Sequence, residues 1–306
     1  MHKLPHIAGI LFAVIFGLTF MFSKTVLASG VSPLGLISYR YLLAFLAFEL
    51  IRRIGLVSIT LKKKDVKILF IVGLLQPVAY FLFETYGLAR TTSAEAGMMI
   101  ALIPIFTTIF SSILLKEKPT KTQVFFILLS VSGVIFIQAM NASGGLEVQT
   151  FGLFLLFMAV ISAALFNIAS RSASKSLSAK ELTYFMIMFG AIVFNILYVG
   201  SLFIEGSLVI YVTTLASIEL ILPIMYLGIV ASIGGFFLVN YALSKLEAHV
   251  ISIYANIATI VAVIAGAVFL SEPIEGYHYI GAFMIVFGVY GTVRTSRRKR
   301  RIRSQI

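Results

Sequence analysis

The 306-residue chain has no cysteine and a single aspartate, Asp65. The first absence excludes disulfides, thiol catalysis and thiolate metal sites, and says nothing about compartment. The second excludes a pair of aspartates working inside a membrane. Charge is scarce too: 12% of the residues are charged and 60% are apolar, whereas an ordinary soluble domain is about a quarter charged. The four histidines, His2, His6, His249 and His278, make no His-Glu-x-x-His pattern and no pair at ligand spacing, so no metal site is expected. A Gly-x-x-x-x-Gly-Lys-Ser/Thr loop is also missing. The chain is therefore not expected to hydrolyse nucleotide, to carry a cofactor or to be an enzyme.

What is abundant is apolar surface. A mean hydropathy of +1.04 is too high for a water-soluble globule, which must draw a polar exterior from its own residues. Ten apolar stretches are visible: His6 to Leu27, Leu34 to Ile51, Val66 to Leu88, Ala94 to Leu115, Thr122 to Met140, Gly152 to Ala169, Leu182 to Phe203, Ile221 to Leu243, Val250 to Leu270 and Tyr277 to Val293. Each is close to the roughly 20 residues that cross a bilayer as a helix. The expected fold is an all-α polytopic membrane protein with ten transmembrane helices. Capping-box spacing marks two helix starts, Thr92 with Glu95 and Thr120 with Gln123.

The net charge of +12 would suggest nucleic acid if it formed a patch, but its distribution points elsewhere. Seven basic groups sit in the last thirteen residues, Arg294 to Ile306, directly after an apolar stretch. With that tail inside, ten spans place 21 of the 24 Lys and Arg on the inner side, only Arg90 outside, and Lys24 and Arg40 within spans. This is the cytoplasmic bias of basic residues, and it puts both termini in the cytoplasm. Membrane lipids are expected partners, because the Arg297 to Arg301 run suits anionic headgroups; nucleic acid is not. The first span ends in Val26-Leu27-Ala28, which loosely resembles a cleavage site, but it is as long as a full span and has an internal counterpart.

That counterpart belongs to a duplication. An offset of 155 pairs Tyr86 with Tyr241, Leu88 with Leu243, Leu115 with Leu270, Glu117 with Glu272 and Gly133 with Gly288; an offset of 146 pairs Phe20 with Phe166 and Ser32 with Ser178. Five helices per copy is an odd number, so the copies are expected to sit inverted in the membrane. The expected organisation is a first five-helix repeat at 1–140, an outer linker at 141–148, a second inverted repeat at 149–293 and a basic cytoplasmic tail at 294–306. The turn Leu115 to Lys121 is basic, and its mate Leu270 to Glu275 has no Lys or Arg.

The two Leu-x-Glu turns, Leu115 to Glu117 and Leu270 to Glu272, together with Pro104 and the stretch Pro33 to Arg40, resemble the drug/metabolite transporter superfamily and within it the EamA-type carriers. The resemblance covers nearly the whole chain. It implies alternating-access transport of small metabolites such as amino acids, often export, through a central pathway lined largely by helices 1, 3, 4, 6, 8 and 9. It also implies residence in the cell membrane of a prokaryote. Thr259 departs from the pattern where the second repeat usually has Pro, as do Lys116 and Ser271 where Gly usually precedes Glu. The alternatives are a facilitator without ion coupling, a channel or a lipid flippase-like protein, although no repeated pore loop or charged ring is visible.

Polar residues within spans are the candidate site, since lipid tolerates few of them. Gln76, Tyr80 and Glu84 recur at steps of four on the third span, which Pro77 is expected to bend. On the ninth span Ser252, Asn256 and Thr259 share a face with His249, and the repeat mates Gly97 and Ala101 share one on the fourth. Both faces lack bulk, which suits either a cavity border or close helix packing. Phe16, Thr19, Phe20, Phe166 and Tyr254 complete the expected pathway lining. Lys24 and Arg40 lie at a depth similar to Glu84, so pairing of the carboxylate with one of them is expected. Arg40 then serves as a helix-aligning group or binds a substrate anion. Glu84 is either part of a static bridge or the coupling site for protons.

Overall fold

The computed structural model describes residues 3–60, 65–90, 99–100, 102–141, 150–215, 217–270 and 275–303. All regular structure there is helical. In chain order the helices are α1 (Leu4–Ala28), α2 (Pro33–Arg53), α3 (Val66–Gly73), α4 (Tyr80–Leu88), α5 (Ile103–Leu114), α6 (Lys121–Asn141), α7 (Thr150–Ala173) and α8 (Ala179–Ile204). They continue as α9 (Val209–Leu215), α10 (Ile218–Met225), α11 (Phe236–Lys245), α12 (Ala248–Ser252), α13 (Ala255–Leu270) and α14 (Gly276–Arg303). Six helical stretches are long and apolar enough to cross a membrane: Leu4–Ala28, Pro33–Arg53, Val66–Gly87, Phe151–Ala173, Ala179–Ile204 and Glu219–Lys245. Shorter apolar helices accompany them. Large apolar side chains face outward around the bundle, Ile196 at 66% exposure and Phe283 at 70% among them. In water such a surface would drive aggregation; in lipid it is the solvated face.

Local chemistry sets the helix ends. Pro33 opens α2 behind Ser32, whose hydroxyl accepts from the Gly35 N–H at 3.1 Å. The expected box at Thr120 is present: the Thr120 N–H donates to Gln123 Oε1 at 2.8 Å and the Gln123 N–H to Thr120 Oγ1 at 3.2 Å. Its counterpart at Thr92 and Glu95 lies outside the described residues. A second reciprocal box, Ser178 with Glu181, starts α8; its Ser-x-x-Glu spacing was equally legible in the sequence. The short helix α9 between two spans was not expected.

Two spans are broken. Between α3 and α4 the chain makes a wide π-type turn, Leu74–Ala79, in which Gln76 leaves helical geometry at φ −148°, ψ 118° one residue before Pro77. Proline disfavours helical geometry in the residue before it, which is the bend expected there. The Leu75 carbonyl at this break accepts from Ser162 Oγ at 2.7 Å, so the interrupted ladder is satisfied by a neighbouring helix. A second wide stretch, Tyr226–Gly235, separates α10 from α11, and an offset of 155 superposes the two breaks in sequence. The apolar stretch Val250 to Leu270, outside the six long stretches, is interrupted too: Ile253 and Tyr254 form a turn between α12 and α13.

Packing pairs follow a pattern. α1 packs on α13 and on the Tyr226–Gly235 and α11 stretch, while α7 packs on α5 and α4; α2 packs on α8, and α6 on α14. Exchanging the halves by the two offsets turns the α1 pairs into the α7 pairs and maps the last two onto themselves. The α6–α14 seam is a close backbone approach. A Cβ added at Gly288 would lie 2.6 Å from the Phe126 carbonyl oxygen and 2.7 Å from Ser130 Cβ, and one added at Gly133 would lie 2.8 Å from the Gly281 carbonyl oxygen. Small residues let two helices approach this way, which maximises dispersion contacts where lipid supplies no hydrophobic drive.

Candidate functional site

One cavity of about 150 Å³ opens between α1, α2, α4, α7, α11, α12 and α13. It runs from Leu27 and Leu36, where α1 hands over to α2, to Phe236, Val239 and Ile251. Its walls are largely apolar and aromatic, with Phe12, Phe16, Phe81, Phe166 and Phe236 prominent. Its polar groups are few: Thr19, Ser23, Arg40, Gln76, Tyr80, Glu84, Thr85, Asn167 and Ser252. Convergent polar groups in an otherwise apolar hollow are the usual form of a small-molecule site.

Several candidates therefore share this cavity: Phe16, Thr19, Arg40, Gln76, Tyr80, Glu84, Phe166 and Ser252. The one-face spacing of Gln76, Tyr80 and Glu84 survives the break because the turn at Pro77 lies next to the first of them. Asn167 was not singled out from the sequence. Its Nδ2 donates to Thr107 Oγ1 at 3.2 Å, tying α7 to α5, and its signal was simply an amide within a span.

Other candidates lie elsewhere. Asn256 does not line the cavity: its Nδ2 donates to Ser130 Oγ at 3.2 Å, which draws it toward α6. The turn at Ile253 and Tyr254 rotates α13 relative to α12, so that the cavity receives Ile251, Ser252, Ala255 and Ala258 rather than a face continued through Asn256. Tyr254 lines a separate groove between α1, α13 and α14, where its hydroxyl is hydrogen-bonded to His6 Nδ1 at 2.7 Å. Gly97 and Ala101 lie outside the described residues, as do the side chains of Phe20, Lys24 and Thr259.

The expected direct pair between Arg40 and Glu84 is absent: among the described residues no ion pair within 4.0 Å joins them. Arg40 is 3% exposed. Its Nε donates to Ser232 Oγ at 2.8 Å, and Ser232 Oγ donates in turn to the Leu227 carbonyl at 2.9 Å inside the second wide turn. The guanidinium carbon stands 4.6 Å from the Phe81 ring centre, a cation–π arrangement. Glu84 accepts from Thr85 Oγ1 at 3.2 Å.

Away from the cavity lining, polar contacts join the ends of several helices. Arg171 at the end of α7 donates from Nε to Glu117 Oε1 at 3.0 Å and from Nη1 to the carbonyls of Leu243 and Ser244 at 2.9 and 3.1 Å. Glu117 Oε2 accepts from the Ala248 N–H at 3.0 Å, at the start of α12. Asn240 bridges two further helices, accepting from Ser170 Oγ at 2.7 Å and donating to Thr183 Oγ1 at 3.1 Å. Glu117 is presented by a tight turn in which Lys116 adopts φ 56°.

Comparison with known proteins agrees with this architecture. The EamA-like transporter family matches residues 3–139 and 150–294. A Bacillus subtilis (strain 168) protein named "Uncharacterized transporter YcxC" is 37% identical over 287 residues, covering 94% of this chain and 92% of its own length. Escherichia coli (strain K12) has a "Probable amino-acid metabolite efflux pump" that is 25% identical, covering 95% of each chain. A solved crystal structure superposes with a TM-score of 0.73 at 16% identity, covering 96% of this chain and 98% of its own, which is a likeness of fold. The chain is an integral membrane protein and belongs to the EamA-like transporter family.

Proposed function

We propose that the protein is a secondary transporter that exports small organic metabolites, amino acids among them, by alternating access through the central cavity. The observation that carries this reading is a central cavity lined by Leu27, Leu36, Arg40 and Glu84 on one side and Ile251 and Ser252 on the other, together with a separate cluster of contacts at Glu117, Arg171 and Ala248 that joins three helices. A carrier needs such a site together with contacts that can be exchanged, whereas a channel needs a continuous path. The ten-span, inverted-repeat topology with cytoplasmic termini is part of the proposal, and the exchange symmetry of the packing pairs supports it. With basic loops inside, the Glu117, Arg171 and Ala248 cluster is on the cytoplasmic side. The relatives named as efflux pumps support export. We assign the cell membrane of a prokaryote as its location and protons as the coupling ion, with Glu84 as their site.

Reconstitution tests the reading. The full chain in proteoliposomes is expected to show saturable uptake and counterflow for a member of a mixed metabolite panel. Flux that is linear in solute and shows no trans-stimulation would indicate a channel. Glu84→Gln is expected to keep counterflow while losing accumulation driven by a proton gradient; wild-type transport indifferent to that gradient would remove the coupling role. Reporters fused after Lys121 and after Ile306 are both expected in the cytoplasm, and opposite sides would end the ten-helix topology.

A further inference from the structure

We infer that the groove between α1, α13 and α14 is a binding site for an anionic phospholipid, with an acyl chain lying in the groove and the phosphate on Arg294. The groove is separate from the central cavity and encloses about 560 Å³. It exists because three helices do not close on one another. α13 packs along α1 and α14 packs along α6, but among the described residues α14 meets α13 at few positions and α1 scarcely at all. Gly281 and Gly288 turn one face of α14 to α6, and Val286 and Tyr290, on the groove side, are each left 57% exposed. The floor is fixed. Tyr254 is buried there, its hydroxyl hydrogen-bonded to His6 Nδ1 at 2.7 Å, and a Cβ added at Gly9 would lie 2.8 Å from its ring.

Shape and charge together choose the occupant. The wall is apolar, made by Ile10, Ile257, Ile260, Val286 and Val293. A hollow of this kind on the lipid side of a bundle is filled by hydrocarbon, because a void forfeits dispersion contacts and water finds too few polar partners. From Val286 to Arg294 α14 rises by about 12 Å, most of the roughly 15 Å of hydrocarbon in one leaflet. The headgroup is set by the groove's α14 limit. No residue lining the groove is acidic, and Arg294 stands at that limit with Nη1 donating to the Tyr290 hydroxyl at 3.1 Å. Arg294 is exposed, and the planar fork of a guanidinium suits a phosphate. Arg298 and Arg301 follow at the i+4 and i+7 positions of the same helix, so the local field favours a headgroup with net negative charge. The site thus adds a shaped groove to the general attraction of a basic tail for acidic membranes. Its helices also wall the central cavity, α1 through Phe12 and Phe16 and α13 through Ala255 and Ala258. A lipid held here packs behind that wall.

Thermal unfolding of the purified full chain in detergent tests the site with three probes: phosphatidylglycerol, phosphatidylcholine with the same acyl chains, and glycerol phosphate, a headgroup without chains. Phosphatidylglycerol is expected to reach half its stabilising effect at a concentration about fivefold below phosphatidylcholine, the worth of one basic group at a membrane surface. Glycerol phosphate is expected to have no effect. Arg294→Gln should remove the difference between the two lipids, whereas Lys299→Gln, which takes the same charge from a position about 140° round the helix, should keep it. Ile260→Phe fills the groove with every charge retained and is expected to weaken both lipids at least several-fold. Val286→Phe does the same from α14, should Ile260→Phe fold poorly. Equal potency of the two lipids on the wild type, or equal loss of the difference in Arg294→Gln and Lys299→Gln, would overturn the site in favour of unspecific attraction by the tail. Glycerol phosphate acting as well as the lipid would overturn it in favour of a free phosphate ester. An unchanged lipid response in the groove-filling variants would also overturn it, and loss of self-association in those same variants would give the groove to a second copy of the chain.

Discussion

Arg171 and Glu117 meet away from the cavity lining, Nε to Oε1 at 3.0 Å, and each of them also holds backbone of the α11 to α12 connection. One ion pair thus joins α7, the turn after α5 and the start of α12. If the carrier alternates, this latch must open when the outer mouth closes. Glu117→Gln is expected to shift the population toward the inward-open state by about tenfold, the scale of one charge-assisted contact of this kind. Because the chain has no cysteine, single reporters read the shift without background. A cysteine at Leu246 should label faster in the variant and one at Ser23 more slowly. Parallel changes at both sites would indicate loosened structure instead of exchange.

The turn between α12 and α13 sets which residues line the cavity. Cysteines at Ser252 and Ala258 are expected to react with a polar thiol reagent, and one at Asn256 to react at least several-fold more slowly. Reversed reactivity would mean that the face continues unbroken through Asn256, against the lining observed.

Two glycines should respond oppositely to the same added methyl group. At Gly288 the new Cβ meets the Phe126 carbonyl and Ser130, so Gly288→Ala is expected to destabilise by about 1 to 3 kcal/mol, the range for overpacking. At Gly200 nothing lies within 4 Å, and Gly200→Ala should stabilise by about 0.5 to 1 kcal/mol through helix propensity. Thermal unfolding in detergent checks both; equal signs would show that the α6–α14 seam is looser than described.

Lys116 holds a left-handed backbone conformation, φ 56°, that costs a residue with a Cβ about 1 to 2 kcal/mol. Lys116→Gly is therefore expected to raise the melting temperature, with counterflow unchanged. A drop would mean that the lysine side chain contributes more than the backbone strain removes.

The all-helical, membrane-spanning character was legible because lipid imposes simple rules: long apolar helices and few polar groups within them. The break before Pro77, the cap at Thr120 and the odd position of Lys116 were each readable from one residue type and its local stereochemistry. Asn256 lies off the cavity because a periodic face presumes an unbroken helix, and the turn at Ile253 has no proline to announce it; Tyr254, expected only as an aromatic wall, lines another groove. Arg40 and Glu84 illustrate a second limit. Depth and opposite sign suggested a pair, but the guanidinium turns to Ser232, which lies in the other half of the chain and becomes a neighbour only once the bundle is assembled. Asn167 was passed over because a lone amide carries no periodicity.

Among the described residues, the α6–α14 seam contributes no side chain to the cavity. On the proposed carrier reading, this separates the part of the chain that keeps the protein intact from the part that meets its cargo: substitutions around Arg40, Glu84 and the phenylalanine walls would act on what is carried, and substitutions in the glycine seam on how much protein survives.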